Sequence, residues 1–216
     1  AGQSNMEGYG DLKDVAQPHP RVMLLGMDGA WTQAREPLHW LVDSPDPVHS
    51  GDPNTRAERS KQQHENRPKG SGLGLSFAAT LAQGADVPIG LVACAHGGTS
   101  LAQWSPGLKD KGGDSLYGSM LRQVGLAGGK VKGVLWYQGE SDAFNADAAA
   151  NYSANLDHFI QSIRADFGQP DLPFYHVQIG RFVTEQNLVD GWNQVRESQR
   201  LLPSRLANTQ VVSVMD

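Results

Sequence analysis

The sequence predicts an α/β fold with a mainly parallel sheet. Short runs of β-forming residues alternate with longer segments of helical periodicity. The short runs are almost continuously apolar, as is typical of strands that are buried on both faces. The 216 residues, of which 39% are hydrophobic, are enough to bury one sizeable core. We therefore expect a three-layer α/β/α arrangement around a five-stranded sheet.

Each predicted element follows from a local pattern. The five strands are predicted at residues 22–25, 88–94, 132–137, 174–179 and 210–215. The four helices are predicted at residues 73–83, 115–126, 146–166 and 188–202. In the third helix, apolar residues three and four apart form one stripe that should pack on the sheet: Tyr152, Leu156, Phe159, Ile160 and Ile163.

Residues 43–69 have a different composition. Pro45, Pro47, Pro53 and Pro68 occur there among many polar residues, with little apolar periodicity. This composition indicates a long loop excursion from the core. Because the alternation of strands and helices resumes after it, we expect residues 1–216 to form a single domain.

Composition also argues against several classes of protein. With 18 Lys+Arg against 23 Asp+Glu and no basic run, the chain offers no source of affinity for nucleic acid. Its longest apolar run is far shorter than the roughly 20 residues of a membrane span. A single cysteine, Cys94, excludes an internal disulfide, and no zinc or calcium motif is present. We therefore expect neither a metal nor another cofactor.

Three polar motifs lie where a binding site is expected. GQSNMEG occupies residues 2–8, while GGTSLAQW at 97–104 and WYQGESD at 136–142 come at or after predicted strand ends. Ligands of an open parallel sheet bind beyond the carboxyl ends of its strands, so these motifs should converge. Together they supply a serine, a glycine pair, a glutamine amide and a carboxylate, which are the parts of an acyl-transfer site.

The chemistry explains why these residue types belong together. A serine hydroxyl attacks an ester only when a base takes its proton, and the resulting oxyanion needs donors about 3 Å away. Glycines let backbone N–H groups approach a substrate closely, and a glutamine amide can offer one N–H more.

The three motifs, in this order and at this spacing, resemble those of SGNH-type hydrolases. Within that group, the resemblance is to the sialate O-acetylesterase domain and to carbohydrate esterase family 6, whose members are acetylxylan esterase-like. The strings RVMLLGMDGAW, EPLHW, GLGLSFAATL and PIGLVACAHGGTS resemble the connecting segments of that family, so the resemblance covers essentially the whole chain. It implies a flavodoxin-like SGNH fold and the removal of acetyl groups from sugar hydroxyls.

The resemblance also implies roles for individual residues. Ser4 would be the nucleophile, with its own N–H as one oxyanion donor. Gly98, or less readily Gly97, would supply a second donor. Gln138 stands where other SGNH enzymes carry an asparagine, and its amide would supply a third.

Several other residues have possible roles, and for some of them two roles are open. Glu140 either orients the catalytic imidazole as a triad acid does or fixes its loop, and Asp142 is expected to cap the following helix. The residues predicted to contact substrate are Asn5, Gly97, Thr99, Trp104 and Arg181. Two of these residues have an alternative role. Trp104 either stacks on a sugar or packs in the core, and Arg181 either anchors substrate or forms a salt bridge.

The sequence departs from the family at both ends. The family takes its base from a histidine in a D-x-x-H motif after the last strand, and its nucleophile follows a first strand. We expect this chain to lack that first strand and the C-terminal end with the base. Among the seven histidines, His96 is the nearest substitute, but we expect it to pack under its loop or touch substrate.

The leading hypothesis is therefore a serine carbohydrate O-acetylesterase that acts on acetylxylan or O-acetylated sialic acid through an acyl-enzyme. One alternative is a catalytically inactive carbohydrate-binding relic, and another is an SGNH esterase or lipase with a different acyl preference. The expected partner is an acetylated carbohydrate. The resemblance favours a secreted or periplasmic protein, while the sequence itself leaves the compartment and the oligomeric state open.

Overall fold

The computed structural model describes residues 1–67, 69–181 and 186–214, and these residues have an α/β fold. The strands are β1 Gly10–Asp11, β2 Val22–Leu25, β3 Trp31–Gln33, β4 Lys69–Ser71, β5 Ile89–Val92, β6 Val134–Tyr137, β7 Phe174–Val177 and β8 Thr209–Val212. The α-helices are α1 Ser4–Glu7, α2 Pro47–Ser50, α3 Arg56–Asn66, α4 Gly74–Gly84, α5 Leu116–Leu126, α6 Glu140–Ala143, α7 Ala146–Asp166, α8 Gln186–Arg200 and α9 Leu202–Arg205.

All five predicted strands are present, as β2, β5, β6, β7 and β8, but they are four residues long at most. They are divided between two sheets. In the first, β2 pairs in parallel with β5 and antiparallel with β3. In the second, β6, β7 and β8 run parallel. The predicted single sheet of five strands is therefore not confirmed, and Met215, the predicted end of the last strand, lies outside the described residues.

The first three residues connect the two sheets. The amino group of Ala1 donates to the Leu135 carbonyl at 2.9 Å, and the Gln3 N–H donates to the Tyr137 carbonyl at 2.9 Å. On the other side, the His96 N–H donates to the Gly2 carbonyl at 3.0 Å. Although residues 1–3 are too few for a named strand, they make strand-type hydrogen bonds both to β6 and to the loop after β5. They thereby fix the position of Ser4.

Residues 43–69 are not the predicted loop excursion, because α2 and the eleven-residue α3 lie within them. The sequence of α3, RAERSKQQHEN, contains good helix formers such as Ala, Arg, Lys, Gln and Glu. None of its residues is buried, so it carries no apolar stripe, and the missing periodicity reflects exposure rather than disorder. Asp43 anchors the helix by accepting hydrogen bonds from Ser60 at 2.5 Å and His64 at 2.8 Å.

Two hydrophobic clusters support these layers. The larger surrounds β6 and β7, where the whole predicted stripe of α7 is buried and Trp136 packs against Phe159 with ring centroids 4.6 Å apart. The smaller joins β2 to α4 through residues such as Val22 and Leu75. Among the described residues, no helix combines the length and apolar character that a membrane crossing requires.

Three buried histidines make stability depend on pH. Burial lowers the pKa of His39, His49 and His176 to about 3. Below about pH 6.5 the unfolded chain binds protons that the folded chain refuses, so the free energy of unfolding should fall as the pH falls from 6.5 towards 3. The slope should reach about 1.4 kcal/mol per pH unit for each histidine. Urea unfolding at pH 7.5, 6.5, 5.5 and 4.5 measures it.

A matched pair of variants tests the cause. His176→Leu should make the slope shallower by up to about 1.4 kcal/mol per pH unit, since it removes one histidine whose pKa burial lowers, whereas His158→Leu on the exposed face of α7 should leave the slope unchanged. A stability that stays constant between pH 7.5 and 4.5 would contradict the prediction.

Candidate active site

The first two motifs meet at Ser4. This serine opens α1, is partly exposed, and its hydroxyl has no hydrogen-bond partner among the described residues. Gly97 lies directly against it, since a Cβ placed on Gly97 would be 3.5 Å from Ser4 Cβ. The same Cβ would be 3.0 Å from Glu7 Oε2, so a side chain at position 97 would crowd both residues.

The third motif holds the residues on both sides of Ser4. The Glu140 carboxylate accepts hydrogen bonds from the Gln3 side-chain amide and, at 2.5 Å, from Asn5 Nδ2. The Ser141 hydroxyl donates to Gln3 Oε1 at 2.9 Å. Burial raises the pKa of Glu140, and the hydrogen bonds from Asn5 and Gln3 lower it. Of the two readings of Glu140, these contacts correspond to the one in which it fixes a loop, and the loop is that of Ser4.

The two glycines of the second motif differ in what their N–H groups do. Gly97 donates its N–H to Glu7 Oε2 at 2.8 Å and is therefore occupied. Gly98 has φ +71°, is exposed, and has no atom within 4 Å of the position of a Cβ. Its N–H has no acceptor among the described residues. The sequence favoured Gly98 over Gly97 as an oxyanion donor, and of the two N–H groups only that of Gly98 is available.

The Gln138 amide does not have the role predicted for it, which was that of a third oxyanion donor. Its side chain is completely buried, and Nε2 donates both to the Thr99 carbonyl at 3.0 Å and to Asp142 Oδ2. Its Oε1 accepts from the Tyr152 hydroxyl at 3.2 Å. With both amide hydrogens used internally, Gln138 has none for an oxyanion, and the prediction of a third donor is corrected. It instead ties the second motif to the third.

Trp104 is likewise a core residue rather than a wall for sugar. It is 0% exposed, and its ring meets that of Trp136 edge-on at 5.4 Å. Its Nε1 donates to Thr99 Oγ1 at 3.0 Å, while the Thr99 hydroxyl donates to the His96 carbonyl at 2.8 Å. The substrate-contact predictions for Trp104 and Thr99 are therefore wrong, because both side chains point inward and are satisfied there.

The remaining predicted residues have mixed outcomes. Asp142 accepts the Leu101 N–H at 2.9 Å, and the cap of α7 is Asn145, which accepts from the Ala148 N–H at 2.9 Å. The capping prediction for Asp142 is thus corrected. Asn5 is exposed beside Ser4. Arg181 is exposed beyond β7, next to residues outside the description, and its substrate contact stays a prediction.

Sequence reasoning missed Glu7, which accepts the Gly97 N–H, and its partner Arg67. Glu7 is only 4% exposed, and its Oε1 lies 3.4 Å from a guanidinium nitrogen of Arg67. Burial raises the pKa of Glu7, while the Gly97 N–H and the Arg67 charge lower it. Nothing in the spacing of the sequence connects Glu7 to a partner sixty residues away, so no local pattern could have identified the pair.

None of the seven histidines hydrogen-bonds to Ser4 Oγ, but two of them form a buried chain with Ser119 and Asp46. His96 Nδ1 lies 2.9 Å from His49 Nδ1, and His49 Nε2 lies 3.1 Å from Ser119 Oγ. Ser119 gives its only proton to Asp46 at 2.5 Å. His49 must therefore donate from Nε2 and accept at Nδ1, which leaves His96 as the Nδ1–H donor. The chain holds His96 with an unprotonated Nε2.

Comparison with known proteins agrees with this geometry. The family model described as carbohydrate esterase, sialic acid-specific acetylesterase, matches residues 1–216. The chain belongs to this family. The family is described as carbohydrate acetylesterases, which are carboxylic ester hydrolases, and the relatives named sialate O-acetylesterase agree with that description.

Individual relatives match parts of their own length. A probable carbohydrate esterase from Arabidopsis thaliana is 30% identical over 200 residues, which are 83% of this chain and 66% of the relative. Human sialate O-acetylesterase is 33% identical over 137 residues, 52% of this chain and 26% of that protein. The chain thus spans less than two thirds of the length of these curated relatives.

Solved structures share the fold. The X-ray structure of the Arabidopsis protein has a TM-score of 0.74 at 30% identity and covers 98% of this chain and 82% of its own. A carbohydrate acetylesterase from Xanthomonas citri has a TM-score of 0.70 at 22% identity, with coverage of 99% and 48%, and at that identity supports the fold alone.

The contacts of Glu140 lead to a stability prediction. In Glu140→Gln one acceptor oxygen becomes an NH2 group that faces another donor amide, so one of the two charge-assisted hydrogen bonds to the residues flanking Ser4 is lost. We expect a loss of about 1–3 kcal/mol in the free energy of unfolding, measured by urea denaturation. Glu197→Gln, at an exposed ion pair of α8, is the control and should change nothing measurable. Equal stability of both variants would contradict the anchoring role of Glu140.

The buried histidine chain leads to a spectroscopic prediction. Burial lowers the pKa of His49 to about 3 and also lowers that of His96, so both rings should be neutral at pH 7. Two-bond ¹H–¹⁵N spectra should show His49 protonated at Nε2 and His96 protonated at Nδ1. Ser119→Ala should release the tautomer of His49 by removing its acceptor. A wild-type His96 protonated at Nε2 would refute the assignment.

Proposed function

We propose that the chain is a serine carbohydrate O-acetylesterase that removes acetyl groups from sugar hydroxyls through an acyl-enzyme. The observation that carries the proposal is the arrangement around Ser4. Its hydroxyl is accessible, Gly97 packs against it, and Glu140 holds both of its neighbours. The family membership supports the same chemistry.

The proposed reaction has two steps. Ser4 Oγ attacks the acetyl carbonyl carbon as its proton passes to a base, and the oxyanion accepts hydrogen bonds from the N–H groups of Ser4 and Gly98. The C–O bond to the sugar then breaks, and the sugar oxygen takes up the proton. Water next attacks the acetyl-Ser4 ester, so acetate leaves and the serine hydroxyl is restored.

The base is proposed to be a histidine that is not among the 216 residues. No imidazole in the described structure hydrogen-bonds to Ser4 Oγ. The family resemblance places the base in a D-x-x-H motif after the last strand, whereas the one D-x-x-H string among the 216 residues, at 46–49, precedes β4, and its histidine contacts His96 and Ser119. We also propose that the two parallel strand sets, joined through residues 1–3, are halves of one flavodoxin-like SGNH sheet in a single domain. The strand-type hydrogen bonds of Ala1 and Gln3 support this.

A second candidate is carbohydrate binding without hydrolysis. The observation that favours it is the same lack of an imidazole at Ser4 in the described part of the chain. Such a protein would keep the pocket and the backbone donors but would not activate the serine.

Ser4→Ala tests the enzyme proposal. In a protein that includes the proposed histidine base, removal of the nucleophile should lower acetate release from acetylated xylan, or from O-acetylated sialic acid, by at least about 10³-fold, because no acyl-enzyme can form. Acetate is measured by an enzyme-coupled assay. Ser76→Ala, an exposed serine of α4, is the matched control and should retain full activity.

The outcomes separate the candidates. Ordinary hydrolysis by Ser4→Ala would refute the nucleophile. Saturable binding of an acetylated oligosaccharide, with no acetate release even by a protein that includes the proposed histidine base, would favour the binding protein. A panel of acetyl, butyryl and feruloyl esters checks the acyl group, and a preference for long acyl chains would exclude an acetylesterase.

A further inference from the structure

A groove of about 380 Å³ opens beside α1 and is not used by the proposed reaction. We call it the α3 groove. Its lining residues come from the end of α1 and from one side of α3: Glu7, Gly8, Tyr9, Gln62, Gln63, Asn66 and Arg67. The volume lies within the range typical of small-molecule sites.

Backbone pairing fixes the two walls of the α3 groove opposite each other. Tyr9 directly precedes β1, and the chain leaving α3 leads into β4, which pairs antiparallel with β1. Gly8 has φ +107°, and a Cβ there would overlap the Gly70 carbonyl, so the two backbones touch. The groove is therefore a built feature rather than a gap between independent loops.

The groove shares one lining residue, Glu7, with the surroundings of Ser4. Glu7 is the last residue of the single-turn α1, so it lies within roughly 6 Å of Ser4 along the helix axis. Its carboxylate accepts the Gly97 N–H on one side and faces Arg67 of the groove on the other. Ser4 and the α3 groove thus lie on two sides of the same side chain, which sets the groove beside the proposed position of the acetyl ester.

The polar groups of the groove suit hydroxyl-rich ligands. The Tyr9 ring is 60% exposed, and an exposed aromatic face packs well on the C–H face of a sugar ring. The amides of Gln62 and Asn66 are exposed and can both donate and accept. Gln63 Oε1 is buried and has no partner among the described residues, so a ligand hydroxyl would satisfy it.

The charges of the groove disfavour an anion. Its one cation, Arg67, faces the one carboxylate of the lining, Glu7, and its charge also acts on Glu36. The guanidinium further donates to the His39 carbonyl at 2.6 Å and lies over the Trp40 ring. A carboxylate in the groove would have to compete with two protein carboxylates for this arginine.

We propose that the α3 groove binds an uncharged sugar unit next to the acetylated one. The proposal rests on the proposed function, because that function places the acetyl ester at Ser4. It narrows the substrate to neutral acetylated polysaccharide, of which acetylxylan is an example, rather than O-acetylated sialic acid.

Binding is measured first, with no hydrolysis involved. In Ser4→Ala, isothermal titration with xylotetraose should give saturable binding, and free sialic acid should bind at least about tenfold more weakly. Adding Tyr9→Ala should weaken xylotetraose binding about fivefold to tenfold, whereas Tyr9→Phe keeps the ring and the affinity. Tyr175→Ala, another partly exposed tyrosine, is the control and should not change affinity.

Kinetics on two substrates then locate the effect. In a protein that includes the proposed histidine base, Tyr9→Ala should raise KM for acetylated xylo-oligosaccharide about fivefold to tenfold with kcat unchanged. It should change hydrolysis of 4-nitrophenyl acetate far less, since that ester has no sugar to fill the groove. Equal loss on both substrates would show a structural role for Tyr9 and overturn the proposal.

Failure of the groove and failure of the enzyme proposal are distinguishable. Undiminished xylotetraose binding by Tyr9→Ala, or tighter binding of sialic acid than of xylotetraose, overturns the groove whatever the activity of the chain. Full hydrolysis by Ser4→Ala overturns the enzyme proposal, while the titrations still decide the groove.

Discussion

The geometry around Ser4 depends on one carboxylate. Glu140 accepts a hydrogen bond from the residue before the serine and another from the residue after it, and a buried carboxylate can accept several such donors at once. The bond from Asn5 spans 135 residues of sequence. The short segment that carries the nucleophile is therefore positioned by the segment that follows β6 rather than by its own helix, which is a single turn.

A second layer of hydrogen bonds joins the other motifs to this anchor. Gln138 connects the Thr99 carbonyl to Asp142, and Asp142 in turn holds the Leu101 N–H. Because buried polar groups are costly unless paired, this fully satisfied junction leaves little freedom for the loop after β5. The unpaired N–H of Gly98 is consequently presented in a defined place. Rigid support around a few free donors is what stabilisation of an oxyanion requires.

The sequence predicted the strands and most helices well, but it predicted poorly which polar groups remain available to a ligand. Every predicted strand exists, and the α7 stripe is buried as expected, because apolar periodicity reports directly on which face of an element is covered. The prediction for residues 43–69 was wrong because no residue of α3 is fully buried, so the helix leaves no apolar periodicity in the sequence. The predictions for Gln138 and Trp104 were wrong for another reason. The residue type indicates which interactions a side chain can make. It does not indicate whether those interactions are already made within the protein, as they are for the Gln138 amide and the Trp104 ring.

What the sequence by itself determined was local: the α/β class, the order of the elements, and three motifs whose residue types suit acyl transfer. Only the tertiary structure decided which of those groups are available to a ligand. Gln138 and Thr99 are 39 residues apart, and His49 and His96 are 47 apart, so neither pairing is visible in any local window. A hydrogen bond satisfies one acceptor or another, and this choice is made when distant segments pack together. For that reason the Gly98 N–H has no acceptor among the described residues, whereas the Gln138 amide donates both of its hydrogens inside the protein.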